Sequence, residues 1–156
     1  MTELRQATAS DIEVVRRISA DAYLPYEASI GFVPIPAVED YGPRIERGDV
    51  WLLEVGGEVV GVAVLERKPD HLLIYSIAVP PDRQRKGYGR ALLDFTFRHA
   101  VQLGVGEVRL FTNQRMERNI ALYARCGFVQ TGTRPHPTRA GNVLVDMVKT
   151  LWEHSR

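Results

Sequence analysis

Asp82-Arg83-Gln84-Arg85-Lys86-Gly87-Tyr88-Gly89-Arg90 packs four cations and two glycines into nine residues, just ahead of a segment with helical spacing. The first amides of a helix have no intrahelical partner and carry the positive end of its dipole. Glycines let the backbone approach a ligand closely, so such a turn suits a phosphate or pyrophosphate. Arg83, Arg85, Lys86 and Arg90 add attraction for an anion. Two phosphate motifs are absent: Leu92 stands where a dinucleotide fingerprint needs a third glycine, and no Gly-Lys-Ser/Thr follows. On its letters alone the turn is equally a solvated basic loop. Cys126 falls beside the helix-ending Gly127 and reads as a buried thiol rather than as a nucleophile. His71, His99, His136 and His154 lack ligand spacing, so no metal is expected.

The elements that must hold this turn follow from period and punctuation. Leu4–Ala7 is a first strand. Ser10-Asp11-Ile12-Glu13 has the spacing of a capping box, and Ile12, Val15, Ile18 and Ala22 continue at helical intervals. Residues 24–43 hold Pro25, Pro34, Pro36 and Pro43 among Tyr26, Phe32 and Tyr41, which predicts a packed loop with short helical pieces. Val50–Val55 and Val59–Arg67 form a hairpin across Gly56-Gly57-Glu58. Leu72–Val79 is a nearly continuous apolar run, a strand covered on both faces, ended by Pro80 and Pro81. A helix spans about Gly87–Leu103, with Leu93, Phe97 and Ala100 on its apolar face and Gly104 at its C-terminus. Val108–Thr112 is a strand, Glu117–Arg125 a helix, and Phe128–Thr133 and Val143–Leu151 two last strands, the final one open to turning helical near Trp152. The order predicts a mixed α/β fold: a central sheet of about six to seven strands with flanking helices. An antiparallel meander fills its middle, and a helical crossover joins two parallel strands.

With 156 residues and 20 Lys+Arg against 19 Asp+Glu, the net charge is +1. Hydrophobic residues are 45% and charged ones 25%, the ordinary mix of a globular domain. A single domain over residues 1–156 is expected, since a chain of this length buries roughly 68–70% of its unfolded surface. The balanced charge disfavours a nucleic-acid binder. Leu72–Val79 is too short to span a bilayer, and Met1-Thr2-Glu3-Leu4 has no signal-peptide pattern, so no membrane partner is expected. One cysteine fits a reducing, cytoplasmic setting.

Val79-Pro80-Pro81, then Gln84-x-x-Gly87-x-Gly89-x-Ala91-Leu92-Leu93, resembles the acetyl-CoA signature of the GNAT superfamily of N-acetyltransferases. Asn119-x-Ala121-x-x-Tyr123-x-x-Cys126-Gly127-Phe128 is similar to that family's later motif, and Arg5-x-Ala7-Thr8-x-x-Asp11 fits its entry to the first helix. The resemblance covers nearly the whole chain. It implies a GNAT-like fold and acetyl-CoA as co-substrate, lying in a gap where the strand before the signature splays from the next parallel strand. By that likeness, Ile77, Ala78 and Val79 offer backbone groups to the pantetheine amides. Gln84, Arg85, Lys86, Gly87, Tyr88, Gly89 and Arg90 hold the pyrophosphate, Asn119 bonds the pantetheine arm, and Tyr123 stands near the thioester sulfur.

The implied reaction is attack of a neutral amine on the thioester in a ternary complex, with a CoA thiolate leaving. A thiol near pKa 8.5 and a tyrosine near 10 are close enough for Tyr123 to act as the acid. A backbone amide near Val79 could polarise the carbonyl. Taken alone, a tyrosine on such a helix is more often an aromatic of the core than a catalytic group; the motif is what favours the acid role for Tyr123. Two departures stand out. Many relatives carry a glutamate base on the strand before the signature, but Ile74–Val79 holds no carboxylate. Glu27, Asp40, Asp70, His71 and His136 are candidates, and a water chain past Ser76 or Tyr75 is the default route. Arg85 stands where the family often has glycine.

The expected acceptor is a small-molecule amine or a peptide, met by residues 23–41 and 134–142. Tyr26, Phe32 and Trp51 are candidates for an apolar wall, and His136 to Arg139 for contact with an acid group. The resemblance leaves room for a homodimer. The rival readings are a non-catalytic acyl-CoA-binding regulatory module and a basic nucleic-acid module using Arg83, Arg85 and Lys86.

Overall fold

A computed structural model describes residues 2–152; His154 lies outside them. Strand β1 (Thr2–Gln6) leads through a 3-10 turn at Ala9–Asp11 into α1 (Ile12–Ile30), followed by the short α2 (Ile35–Val38) and α3 (Gly42–Glu46). Then come β2 (Val50–Val55), β3 (Glu58–Arg67) and β4 (Leu72–Ala78), a second 3-10 turn at Pro81–Arg83, and α4 (Tyr88–Leu103). The chain continues through β5 (Glu107–Asn113), α5 (Glu117–Arg125), β6 (Val129–Pro135) and β7 (Val143–Thr150). The seven strands form one sheet in the order β1-β2-β3-β4-β5-β7-β6. Only β4 and β5 run parallel, and the other neighbouring pairs are antiparallel. This is the expected mixed sheet, with helix α4 as the crossover.

Alternation along the central strands builds two cores, one on each face. Leu52, Val62 and Val64 pack with Val15, Ile18, Tyr41 and Ile45 under α1 and α3. Leu53, Ala63 and Leu65 face the other way, onto Leu92, Leu93 and Ala100 of α4 and Tyr123 of α5. The β2–β3 hairpin turns on two residues, Gly56 (φ +60°) and Gly57 (φ +83°), with Val55 opposite Glu58. That conformation strongly favours glycine at both positions.

The start and length of α1 differ from the sequence expectation. The cap lies two residues upstream, where the Thr8 N–H donates to Asp11 Oδ2 at 2.7 Å. Ser10 pairs instead with the Thr8 hydroxyl at 2.9 Å, and Glu13 with Arg16. Arg5 grips Asp11 with both terminal nitrogens, at 2.9 and 3.0 Å, and reaches Glu54 with Nε at 2.9 Å. So the Arg5–Thr8–Asp11 spacing ties β1 and β2 to the helix entry. Helix α1 then runs through Pro25 to Gly31, which ends it at φ +86°. A proline inside a helix removes one bond. Burial of Ala22 and Ile30 on either side of it holds the helix together, where the proline pattern predicts a loop with short helical pieces. At the far end, β7 stops at Thr150 and Trp152 is not helical.

One irregularity in β4 positions everything that follows. Val64 faces Ser76 but Leu65 faces Ile74, so Tyr75 is an extra residue, a bulge. It reverses the alternation of the strand. Ile74 packs on the α4 side and Tyr75 on the α1 side. Ser76 bonds Tyr23 of α1, while Ile77 and Val79 return to the α4 side.

Candidate functional site

At the bulge β4 leaves β5. Their pairing covers Leu72, Leu73 and Ile74 against Val108, Arg109 and Leu110 and goes no further. Beyond it β4 stays with β3 as far as Ala78, and β5 stays with β7 as far as Asn113. The result is a V-shaped opening in mid-sheet, with Tyr23 and Tyr26 from α1 on one side and Asn119 and Tyr123 from α5 on another.

A cleft of about 470 Å³ runs from this opening to the start of α4. Ile77, Val79, Gln84, Arg85, Gly87, Tyr88, Gly89, Arg90, Asn119 and Tyr123 all line it. Ala78 does not: its side chain is buried under α1. Lys86 is not among the lining residues either. The first backbone bond of α4 runs from the Ala91 N–H to the Gly87 carbonyl at 3.0 Å. The amides of residues 88–90 therefore precede the helical ladder and are free to face a ligand. The two glycines act differently. Gly87 is left-handed at φ +81°, whereas a Cβ at Gly89 would meet only Leu122, at 3.4 Å, and would take up room in the cleft. Arg85 also sits in the left-handed region, at φ +66°, which accounts for glycine being an ordinary occupant of such a turn. The Gln84 amide donates to the Val79 carbonyl at 3.0 Å and pins the turn to the strand end.

The cations divide differently from the sequence expectation. Arg83 turns away to Glu58, at 2.5 Å, and Arg90 pairs with Asp94 at 3.2 Å. Arg118 and Arg125 of α5 join Arg85 and Arg90 in lining the cleft. Spacing carries no sign of them, because they reach the turn only through the sheet crossover.

Tyr123 is buried, and its ring meets Phe128 edge-on at 5.6 Å. Its hydroxyl makes no hydrogen bond among the described residues. Burial pushes its pKa well above the ordinary tyrosine value, with Tyr23, Tyr26 and Cys126 adding to the rise, so it remains a neutral phenol. Tyr26 donates to Asn119 Oδ1 at 3.2 Å. Cys126 is buried and its thiol is likewise pushed up by burial; its carbonyl accepts from Lys149 at 2.9 Å.

Tyr23, Met116, Asn119 and Tyr123 also line a second cavity of about 240 Å³, on the opposite side of the opening. Phe32 and His136 belong to it, and Tyr26 to the first cleft. Trp51 lies elsewhere, packed on Phe95 at 4.8 Å and His99 at 5.1 Å. Among the carboxylates and histidines considered as bases, Asp70 and His71 bond each other at 2.7 Å, and Asp40 accepts from the Gly42 N–H. His136 Nδ1 accepts the N–H groups of Thr138 and Arg139, both at 3.1 Å, so in the neutral ring Nε2 carries the proton. At the second cavity a carboxylate absent from that set, Glu39, reaches a lining residue: it accepts from the Tyr75 hydroxyl and, at 2.5 Å, from Arg44.

The chain is similar to known proteins in sequence and in fold. The family model described as Acetyltransferase (GNAT) family matches residues 13–128. The N-acetyltransferase YvbK of Bacillus subtilis (strain 168), itself uncharacterized, is 33% identical over 92 residues, covering 58% of this chain and 57% of its own length. The chain thus spans little more than half of that relative. Among solved structures, the ribosomal-protein-S18-alanine N-acetyltransferase of Escherichia coli superposes with a TM-score of 0.80 at 21% identity, covering 99% and 97% of the two chains. The PaiA N-acetyltransferase of Thermoplasma acidophilum, in complex with coenzyme A, gives 0.78 at 16% identity over 96% and 99%. At these identities the superpositions establish the shared fold.

Proposed function

Because the chain belongs to the GNAT family of acetyltransferases, we propose that it transfers an acetyl group from acetyl-CoA to a primary amine in a ternary complex. The observation that carries this is the junction of two cavities at the β4–β5 opening. One is lined by the amide-bearing turn and the other by a separate set of side chains, and they meet at Tyr23, Met116, Asn119 and Tyr123. A donor and an acceptor entering from opposite sides would meet there.

In this reading the amides of residues 88–90, with Arg85, Arg90, Arg118 and Arg125, hold the pyrophosphate. The free edge of β4 from Ile77 to Val79 pairs with the pantetheine amides as an added strand would. An amide near Val79 polarises the thioester carbonyl. The amine nitrogen bonds to the carbonyl carbon, the C–S bond breaks, and the Tyr123 hydroxyl gives its proton to the departing sulfur. The raised pKa of Tyr123 keeps it protonated for that step. The same dry site raises the proton affinity of the thiolate. The proton shed by the amine passes to solvent along a water chain past Tyr75, whose hydroxyl is held by Glu39. The products are an N-acetylated acceptor and CoA thiol, and the Tyr123 phenolate regains a proton from solvent, which has taken up the one shed by the amine. A reduced Cys126 and a cytoplasmic setting accompany this reading.

Incubation with acetyl-CoA and a panel of amines, read by release of free thiol, tests the proposal. Amine-dependent release is the expected result. Acetyl-CoA binding without release on any amine would favour a non-catalytic acyl-CoA-binding module.

A further inference from the structure

The cavity beyond Tyr123 has a chemical bias of its own. Phe32, Val33, Ile35, Leu110, Phe111 and Leu144 give it an apolar wall, and no Asp or Glu is among its lining residues. Its neutral polar groups are largely engaged with one another. Ser76 bonds Tyr23 at 2.9 Å, and the Asn113 amide bonds Asn142 at 2.9 Å while its oxygen accepts from the Arg115 N–H at 2.9 Å. Glu39, behind Tyr75, is taken up by Arg44.

Besides the Tyr123 hydroxyl and the Asn119 NH2 at the junction with the first cleft, two donors are left over, both on the β6–β7 loop. Arg139 lays its guanidinium over the Phe32 ring, 4.6 Å from the centroid, and has no acidic partner among the described residues. The His136 ring lies edge-on to Phe32 at 5.5 Å and accepts the loop amides at Nδ1, which leaves Nε2 as its N–H donor. An uncompensated cation and an N–H donor above an apolar pocket suit an anionic oxygen pair. A second ammonium would enter an apolar site lined by no carboxylate, which is costly. The volume is about 240 Å³, below the roughly 300–1,000 Å³ of drug-sized sites, so the acceptor is small.

We infer that the acceptor is a small primary amine with an apolar body and one carboxylate, an amino acid or an ω-amino acid, whose carboxylate is held by Arg139 and the His136 N–H. The inference rests on the acetyl-transfer reading for the word acceptor, but the binding site it describes stands or falls separately.

Leucine, methionine, phenylalanine and 5-aminovalerate, each beside its carboxamide, together with spermidine and a short peptide amide, supply the test. Binding is measured by calorimetry on the free and CoA-saturated protein, and turnover by thiol release with acetyl-CoA. The expected result is tighter binding and higher kcat/KM for at least one acid than for its amide. Arg139→Gln should erase that preference by weakening the acid roughly 5- to 30-fold, with the amide and acetyl-CoA unaffected. Acid binding that depends on Arg139 but gives no thiol release would keep the carboxylate site and overturn acetyl transfer. No acid binding more tightly than its amide, or spermidine or the peptide turned over better than every acid, would overturn the inference whatever the level of thiol release. So would a preference that survives Arg139→Gln.

Discussion

Tyr26, one turn beyond Tyr23 on α1, donates its hydroxyl proton to the side-chain oxygen of Asn119 on α5 at 3.2 Å, closing one wall of the larger cleft. With that oxygen occupied, the Asn119 NH2 is the end left to donate to a ligand carbonyl. Tyr26→Phe removes this orientation while keeping the ring. The expected outcome is a several-fold rise in the KM for acetyl-CoA with kcat little changed, measured at saturating acceptor. An effect of this size corresponds to about 1 kcal/mol, the worth of one hydrogen bond.

Tyr123→Phe separates proton donation from packing. The hydroxyl makes no hydrogen bond among the described residues, so thermal unfolding should move little. Turnover should fall roughly 10²–10⁴-fold where chemistry limits the rate, with acetyl-CoA affinity retained. Because burial drives its pKa upward, the wild-type pH–rate profile should show no tyrosine limb in the ordinary range. A folded Phe variant with near-normal turnover would assign the proton to solvent.

Much of this arrangement is legible in the sequence because local chemistry dictates it. Gly56-Gly57 can hardly be other than a tight hairpin turn, Pro80-Pro81 must end a strand, and Gly87 and Gly104 bracket α4 at positive φ. The parallel β4–β5 pair follows from the helix that joins them. What escaped detection depends on contacts distant in sequence. Glu39 meets Tyr75 across 36 positions. Arg118 and Arg125 reach the cleft only because α5 folds back beside α4. Trp51 is drawn to Phe95 and His99 by the parity of β2. Pro25 argued for a break in α1 that burial of Ala22 and Ile30 overrides. The Ser10–Glu13 box competed with a better one two residues earlier, because Asp11 could also be gripped by Arg5.

That grip predicts a stability change with pH. Hydrogen bonds from Arg5, aided by the Thr8 N–H, lower the Asp11 pKa to about 2 against an opposing cost of burial. The folded value lies below the unfolded one, so the stabilisation is fully present above about pH 4 and is lost as pH falls through about 2. With Arg5 one third exposed, the contribution is discounted for screening to about 1–2 kcal/mol. Asp11→Asn should lower stability by about that amount at pH 7 and by much less at pH 2, in urea titrations at the two pH values.

The cofactor turn makes a contrasting pair. Arg85 holds φ +66° and Gly87 φ +81°. Arg85→Gly relieves a left-handed side chain and should leave stability unchanged or raised by up to about 1 kcal/mol, since relief of strain is partly offset by glycine's entropy. Gly87→Ala should cost about 1 kcal/mol or more although nothing lies within 4 Å of its Cβ, because the cost is conformational. Thermal denaturation of both variants checks this.

Calorimetric titration of acetyl-CoA into the wild-type protein and into Gly89→Trp tests whether the turn before α4 holds the cofactor. A Cβ at Gly89 meets no backbone and only Leu122, at 3.4 Å, so the variant is expected to fold, which circular dichroism verifies. The indole would occupy the space in front of the amides of residues 88–90. Saturable binding by the wild type and its loss in the folded variant are the expected result. Equal acetyl-CoA affinity in the two proteins would contradict it.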